Sequence, residues 1–460
     1  MVVLDATIVN VALPAMRRGL HLGASELQWV INAYLLTLGG LILLGGRLGD
    51  HFGRKRVYLT GGLIFSVASL LGGVAPSGGV LLAARAVQGV GAALLAPGTL
   101  SLLTAAYREP RARTRALAIW STTSAIGGAL GVCLGGVLTD ALGWRSVLFV
   151  NVPLGVLVLV LGGLALPRTP ARGGPAKRLD VAGALTVTAA LTALVYGVAE
   201  TESSSWGSTR TLVALGAAAA LFATSAIIES RAANPLIPLA ILRRSPVATA
   251  TTMMLIHGAV VTAALYFQSL YLQQVRGFSP LDAGLLMLPF ASLAILTPVF
   301  SSRLTTRHGP RAVAIASVAV EIVGILWLSR WDVHSSILVA VVVPAMVINL
   351  GASMCFFAMS VMLTSDLARE HSGLGSGLFN AGRQVGGSVG LAALTVVAAA
   401  HTRLARGAHG SGLAHADARG YGFALQIAAG LLAVGILIVA AYGTHGRLRV
   451  DADSRPVEIT

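Results

Sequence analysis

An all-α integral membrane protein is the fold class this sequence predicts, on three observations. Of 460 residues, 55% are hydrophobic and only 11% are charged, with a mean hydropathy of +0.80, whereas soluble chains carry about 25% charged residues. The apolar residues run in stretches of about 18 to 25, the length that crosses a hydrocarbon layer of about 30 Å as a helix. The connections between these stretches are too short for a soluble domain, which needs at least about 50 residues. Lipid offers no partner to a backbone amide, so each crossing must close its own hydrogen bonds as a helix. The 54 glycines fit the same class, because small residues let membrane helices approach closely.

Fourteen apolar segments follow in order: 2–16, 27–46, 57–74, 80–106, 116–139, 146–166, 181–199, 211–228, 247–272, 281–302, 312–329, 335–364, 376–400 and 421–443. The first is too short at about 15 residues to cross unaided. No basic region precedes it, as a signal peptide would require, so the true start is expected upstream. Basic residues set orientation, since cytoplasmic loops collect Lys and Arg. With the N-terminus inside, the inward loops and the tail hold 22 Lys and Arg and the outward loops 9. Both termini are therefore expected in the cytoplasm. Arg47, Leu48 and Gly53 after the second segment recur as Arg303, Leu304 and Gly309 after the tenth. That offset is expected of two six-helix halves separated by two extra helices, and repeats of this kind place a transport site at their interface.

Composition also removes several functions. The formal charge of +15 is spread over small clusters between apolar segments, with no single basic stripe for nucleic acid. Cys133 and Cys355 lie inside apolar segments with neither disulfide nor metal spacing. A phosphate-binding loop needs Gly-x-x-x-x-Gly-Lys-Ser/Thr, but Lys55 precedes Arg56 and Lys177 precedes Arg178. No nucleophile, base and metal-ligand set can be assembled from such short loops. The sequence thus predicts no enzyme, no cofactor and no metal, and any work must be driven by a gradient.

The loop from Gly46 to Arg56 carries Gly46, Gly49, Asp50, Gly53, Arg54 and Lys55 in the pattern G-x-L-x-D-x-x-G-R-K. It resembles the signature of the major facilitator superfamily. Leu4 to Pro14 resembles the first-helix motif of its fourteen-helix drug:proton antiporters. Arg85, Gln88, Gly89, Gly91, Ala92 and Ala93 resemble the fourth-helix motif, and Gly127, Gly131, Gly135 and Gly136 the fifth-helix antiporter motif. Trp144-Arg145 with Phe149 to Gly155, and Asn380 with Arg383 to Gly387, extend the likeness over nearly the whole chain. One departure stands out: the proline usual at the centre of the antiporter motif is Val132 here. The resemblance implies a major facilitator fold of two six-helix bundles with two helices between them. Its expected division is 1–166, 167–246 and 247–443, with a cytoplasmic tail at 444–460. The loop motif is implied to latch the cytoplasmic side.

Ionisable residues inside spans cost about 2.5–3.5 kcal/mol on insertion scales and are usually functional. Asp5 is read as the proton carrier, because burial disfavours a charged carboxylate; the competing reading is a helix-end acid near the surface. Arg85 is read as lining the cavity, where the resemblance implies that it holds a hydrogen-bond network and biases its partner acid, or as a structural arginine bonded to carbonyls. Glu321 is either a second proton site or a protonated acid bonding between helices. Arg383 is either a cavity residue or an interfacial anchor, and His257 either a titrating group or a core hydrogen bonder. Asn32, Tyr34, Gln88 and Gln268 are candidate cavity residues. With the resemblance to the fourteen-helix antiporters, these residues imply proton-coupled efflux of a lipophilic or cationic small molecule, of the drug or antibiotic class, across a bacterial cytoplasmic membrane. Its rivals are the uptake or export of another metabolite and, more remotely, a membrane receptor or assembly subunit.

Overall fold

The computed structural model describes residues 1–106, 110–166, 180–201, 204–232, 245–365, 372–409 and 412–442. The expected tail at 444–460 and most of the linkers at 167–180 and 229–246 lie outside them. Among the described residues the regular structure is α-helix with two short π segments. The first helices are α1 (Val2–Leu20), α2 (Ala24–Phe52), α3 (Arg54–Gly73), α4 (Gly78–Ala106) and α5 (Pro110–Leu142). Two pieces, Ser146–Phe149 and Asn151–Ala165, are separated by Val150 alone and are labelled together as α6. Then come α7 (Val181–Glu200), α8 (Thr209–Arg231) and α9 (Ser245–Leu270), the last ending in a π turn at Tyr271–Val275. The chain continues through α10 (Pro280–His308), α11 (Pro310–Leu328), α12 (Val343–Ser365, entered by a π turn at Leu338–Val342), α13 (Ser372–His409) and α14 (Leu413–Tyr442). Counted without joining the pieces of α6 there are 15 α-helices among the described residues. Eleven helices among the described residues are long and apolar enough to cross a membrane.

The helices overrun the apolar segments read from sequence. The first segment, read as 2–16, continues to Leu20 through Arg17 and Arg18. Arginine lowers hydropathy but is a good helix former, so the helix has 19 residues where hydropathy alone gave fewer. Helix starts are chemically marked. Ser279 Oγ accepts from Asp282 N at 3.1 Å with Pro280 in the first turn of α10, the usual start chemistry. Asp180 caps α7 by accepting from Gly183 N at 2.8 Å.

The sequence repeat has a geometric counterpart. Gly53 (φ 95°) is the single residue between α2 and α3, and Gly309 (φ 81°) the single residue between α10 and α11. Each turns the chain in a conformation that a Cβ would strain. Helices α1 to α6 pack among themselves, as do α9 to α14, and α2 against α13 and α5 against α10 join the two sets. Helices α7 and α8 pack on one another, and α7 leans on both α2 and α13. The outer surface is apolar: Val156, Leu157, Val160, Leu161 and Leu164 form an exposed stripe along α6, as expected of a face turned to lipid.

Three of the four fifth-helix motif glycines are contact points. A Cβ on Gly131 would collide with Leu4 and Thr7, and one on Gly135 would come within 2.8 Å of the Ile8 carbonyl oxygen, both on α1. One on Gly136 would lie 2.7 Å from the Pro280 carbonyl oxygen at the start of α10. Gly127 has open space. Overpacking a tight site costs about 1–3 kcal/mol. Gly135→Val is therefore expected to lower the melting temperature of the purified protein, and Gly127→Ala to leave it unchanged. Equal effects of the two would contradict this packing.

Candidate functional site

The acid on α1 sits in a closed polar network. Asp5 lies wholly buried on the α1 face shared with Ile8, Val9 and Ala12, which overturns its reading as a surface acid. Arg85 and Gln88 are three apart on α4, a spacing that puts both on one helix face, and both are buried. Arg85 Nη1 donates to Asp5 Oδ2 at 2.6 Å and to Gln88 Oε1 at 2.7 Å. Gln88 Nε2 donates to Asp5 Oδ1 at 2.8 Å and to Ser69 Oγ of α3 at 2.7 Å. Asn151, at the break in α6, donates to Asp5 Oδ1 at 2.7 Å. One carboxylate thus accepts three hydrogen bonds and draws in donors from α4 and α6.

Arg85 joins the two readings made of it. Its Nη1 serves the acid, while its Nε donates to the Val30 carbonyl of α2 at 3.0 Å. The guanidinium also lies 4.4 Å from the centre of the Tyr34 ring, a cation–π distance. Tyr34 meets Phe65 edge-on, and its buried hydroxyl has no hydrogen-bond partner. Arg85 with Asp5 makes a charge-neutral pair sealed from water, and such a pair is costly to break by halves, at about 3–5 kcal/mol.

A second acid is buried in the other helix set. Glu321 of α11 is fully buried, and His257 Nδ1 of α9 approaches its Oε2 at 3.4 Å. Neither Glu321 oxygen has a hydrogen bond. This pair stands on α9 and α11, whereas the Asp5 network draws on α1, α3, α4 and α6. The remaining candidates are dispersed. Asn32 Oδ1 accepts from Ser388 Oγ of α13 at 3.0 Å and so ties α2 to α13. Gln268 is buried with neither amide atom bonded. Arg383 is half-buried, 5.8 Å from the Phe356 ring, and its Nε has no partner.

In the loop motif, Arg54 Nη2 reaches Asp50 Oδ1 at 3.0 Å across the Gly53 turn, from the start of α3 to the end of α2. Lys55 Nζ donates to the carbonyls of Gly163 at 2.8 Å and Leu166 at 2.6 Å, where it satisfies acceptors at the end of α6. The exposed Asp50–Arg54 pair is worth little by itself, about 0–1 kcal/mol. At the far end of α1, three contacts join α1 to α9. Ser269 Oγ donates to Asn10 O at 2.7 Å, Gln273 Nε2 to Val11 O at 2.8 Å, and Arg17 Nη1 to Gln274 Oε1 at 3.3 Å.

Sequence reasoning named Asp5, Arg85 and Glu321 for proton coupling and Gln88 and Tyr34 for a substrate cavity; the structure brings Asp5, Arg85, Gln88 and Tyr34 together and sets Glu321 beside His257 instead. It missed Ser69, Asn151, Ser269 and Gln273 as site residues. Asn151 stands inside the Phe149 to Gly155 motif, and Ser269 and Gln273 have the i, i+4 spacing of one helix face, signals that were available. Ser69 carries none, being a small polar residue in an apolar run.

Helices with lipid-facing stripes around a buried charged network define an integral membrane transporter. The match to the Major Facilitator Superfamily model spans residues 1–391, and the chain belongs to that family. It is 39% identical to the cephamycin export protein CmcT of Amycolatopsis lactamdurans, over 87% of this chain and 83% of that one. It is 36% identical to the puromycin resistance protein pur8 of Streptomyces alboniger, over 96% and 87%. Among solved structures, an inward-facing, unoccupied bacterial homolog of the human lysosomal transporter Spinster superposes with a TM-score of 0.69 at 16% identity. That match covers 96% of this chain and 94% of the other. At that identity the likeness shows the fold alone.

The pairing of Asp5 with Arg85 makes a stability prediction. Asp5→Asn leaves a buried cation without its counter-charge, and is expected to destabilise the purified protein by about 3–5 kcal/mol. Arg85→Gln added to it should recover part of that loss. Additive losses in thermal unfolding would show that the two side chains act independently.

Proposed function

We propose that this chain exports small molecules, of the antibiotic or drug class, across a bacterial cytoplasmic membrane in exchange for protons. The observation that carries the proposal is the buried Asp5–Arg85–Gln88–Asn151 network, read with relatives that bear export and resistance names. A carboxylate this far from water serves no purpose in a simple lipid-facing helix, and ionisable groups at such depth mark ion or substrate pathways. We take the chain to comprise fourteen spans with both termini cytoplasmic, divided at 1–166, 167–246 and 247–443.

On this reading, substrate entering from the cytoplasmic side displaces a proton from Asp5 into the cytoplasm. Then α1 parts from α9 at Asn10, Val11 and Arg17, the outward end opens and substrate leaves. A proton from outside binds Asp5, removes the charge that holds Arg85, and resets the protein to its inward-open form. One charge moving down 100 mV yields about 2.3 kcal/mol, which suffices to concentrate a substrate many-fold. The loop at Gly46 to Lys55 would hold the opposite end closed while the outward end is open.

One observation favours a second reading of the substrate's charge. Asp5 is balanced by Arg85, and Glu321 is met by His257, but Arg383 has no acid partner among the described residues. An uncompensated cation beside the Phe356 ring suits a substrate with an anionic group better than a cationic one. Competition settles this: organic anions that inhibit efflux in wild type but not in Arg383→Ala favour it, and inhibition confined to organic cations contradicts it.

The primary test is efflux of ethidium from cells expressing the chain, with and without a protonophore. Efflux that collapses with the protonophore is expected, as is loss of resistance in Asp5→Asn while the protein stays in the membrane. Full resistance in that variant would remove Asp5 from the mechanism.

A further inference from the structure

We infer that Glu321 and His257 form a second proton-binding site, one that holds a single shared proton while the surrounding helices are closed. This deepens the proton-coupled reading above and rests on it for its role in transport.

The two buried acids are provided for in opposite ways. Asp5 accepts from Arg85, Gln88 and Asn151, and its charge is permanently matched because a guanidinium does not deprotonate in proteins. Glu321 has no such supply: its oxygens lack hydrogen bonds among the described residues, and the His257 imidazole stands 3.4 Å away. The site is also tight. A Cβ on Gly351 of α12 would lie 2.6 Å from the Glu321 amide nitrogen, so α11 and α12 meet with no room for a bulky counter-ion. Ionisable groups on neighbouring elements are Cys355 on α12, within electrostatic reach of Glu321, Arg383 on α13 and Asp5 on α1. His415, Asp417 and Arg419 lie in the first turns of α14.

Charge balance decides how many protons the pair carries. With one proton, either Glu321 is the neutral acid beside a neutral imidazole, or the proton has crossed to Nδ1 to give a carboxylate beside an imidazolium. Both forms are net neutral. With none, a bare carboxylate is buried, and with two, a bare imidazolium; either is an uncompensated charge out of water, which is strongly disfavoured. Loss or gain of the proton therefore requires α9, α11 and α12 to part enough to admit water. Proton exchange at this site is tied to the same helix motions that open the cavity.

Infrared difference spectra of the purified full-length chain between acidic and alkaline buffer test the pairing without any substrate. Wild type is expected to show a protonated-carboxyl band and imidazole bands that change together, as a coupled pair titrates. Glu321→Gln should abolish that carboxyl band and displace the imidazole transition. If that variant does not fold, Glu321→Asp keeps an acid but withdraws it from His257, and the joint transition should split into two. A carboxyl band unaltered in Glu321→Gln, or wild-type behaviour in Glu321→Asp, overturns the inference. Ethidium efflux separates this from the export reading. Protonophore-insensitive efflux by wild type would defeat proton coupling, while the infrared result would still judge the pair.

Discussion

The structure hangs on one ion pair. Asp5 and Arg85 are 2.6 Å apart with almost no access to water, and the donors gathered around that carboxylate come from elements far apart in sequence. Gln88 brings α4 and, through Ser69, α3; Asn151 brings α6; Arg85 reaches back to the Val30 carbonyl on α2. Five helices therefore share one electrostatic centre. In a membrane, where apolar contacts between helices gain little over contacts with lipid, such polar ties and close small-residue packing specify the assembly. The close approach of α5 to α1 at Gly131 and Gly135 fixes the helix that carries Asp5, so packing and charge support each other.

The opposite half is organised around a weaker pair. His257 and Glu321 occupy α9 and α11, which the Gly53/Gly309 correspondence relates to α1 and α3. The repeat has kept the backbone turn while the side chains have diverged: an acid with three donors on one side, an acid with one imidazole on the other. The Asp5–Arg85 pair is neutral without a proton, so a proton bound there must displace Arg85 from the carboxylate. A pair that is neutral only with one proton suits exchange.

Much of the fold was legible because lipid imposes strong rules on sequence. Apolar stretches gave the helices, the Arg47-Leu48-Gly53 recurrence gave the two-part organisation, and Gly53 and Gly309 have the backbone conformation the motif requires. Helix ends were less legible, because hydropathy stops at Arg17 whereas the helix continues. At the site, Asp5 and Arg85 stood out as charges inside apolar segments, and Gln88 through its place in the fourth-helix motif. Asn151 and Ser69 were not, since a neutral polar residue in a span gains meaning only from what it faces. The pairing of His257 with Glu321 was invisible for a similar reason: 64 residues separate them, and only the packing of α9 on its neighbours joins them.

The hairpin of α7 and α8 lies across the meeting line of α2 and α13, with Leu191 and Val195 packed on Leu36 and Ala392. The other line between the two helix sets, α5 against α10, has no such cover among the described residues. The molecule is thus two-sided towards the bilayer. A molecule dissolved in the lipid meets an apolar hairpin on one flank and the direct α5–α10 contact on the other. The near-symmetry of the halves therefore does not extend to their surroundings.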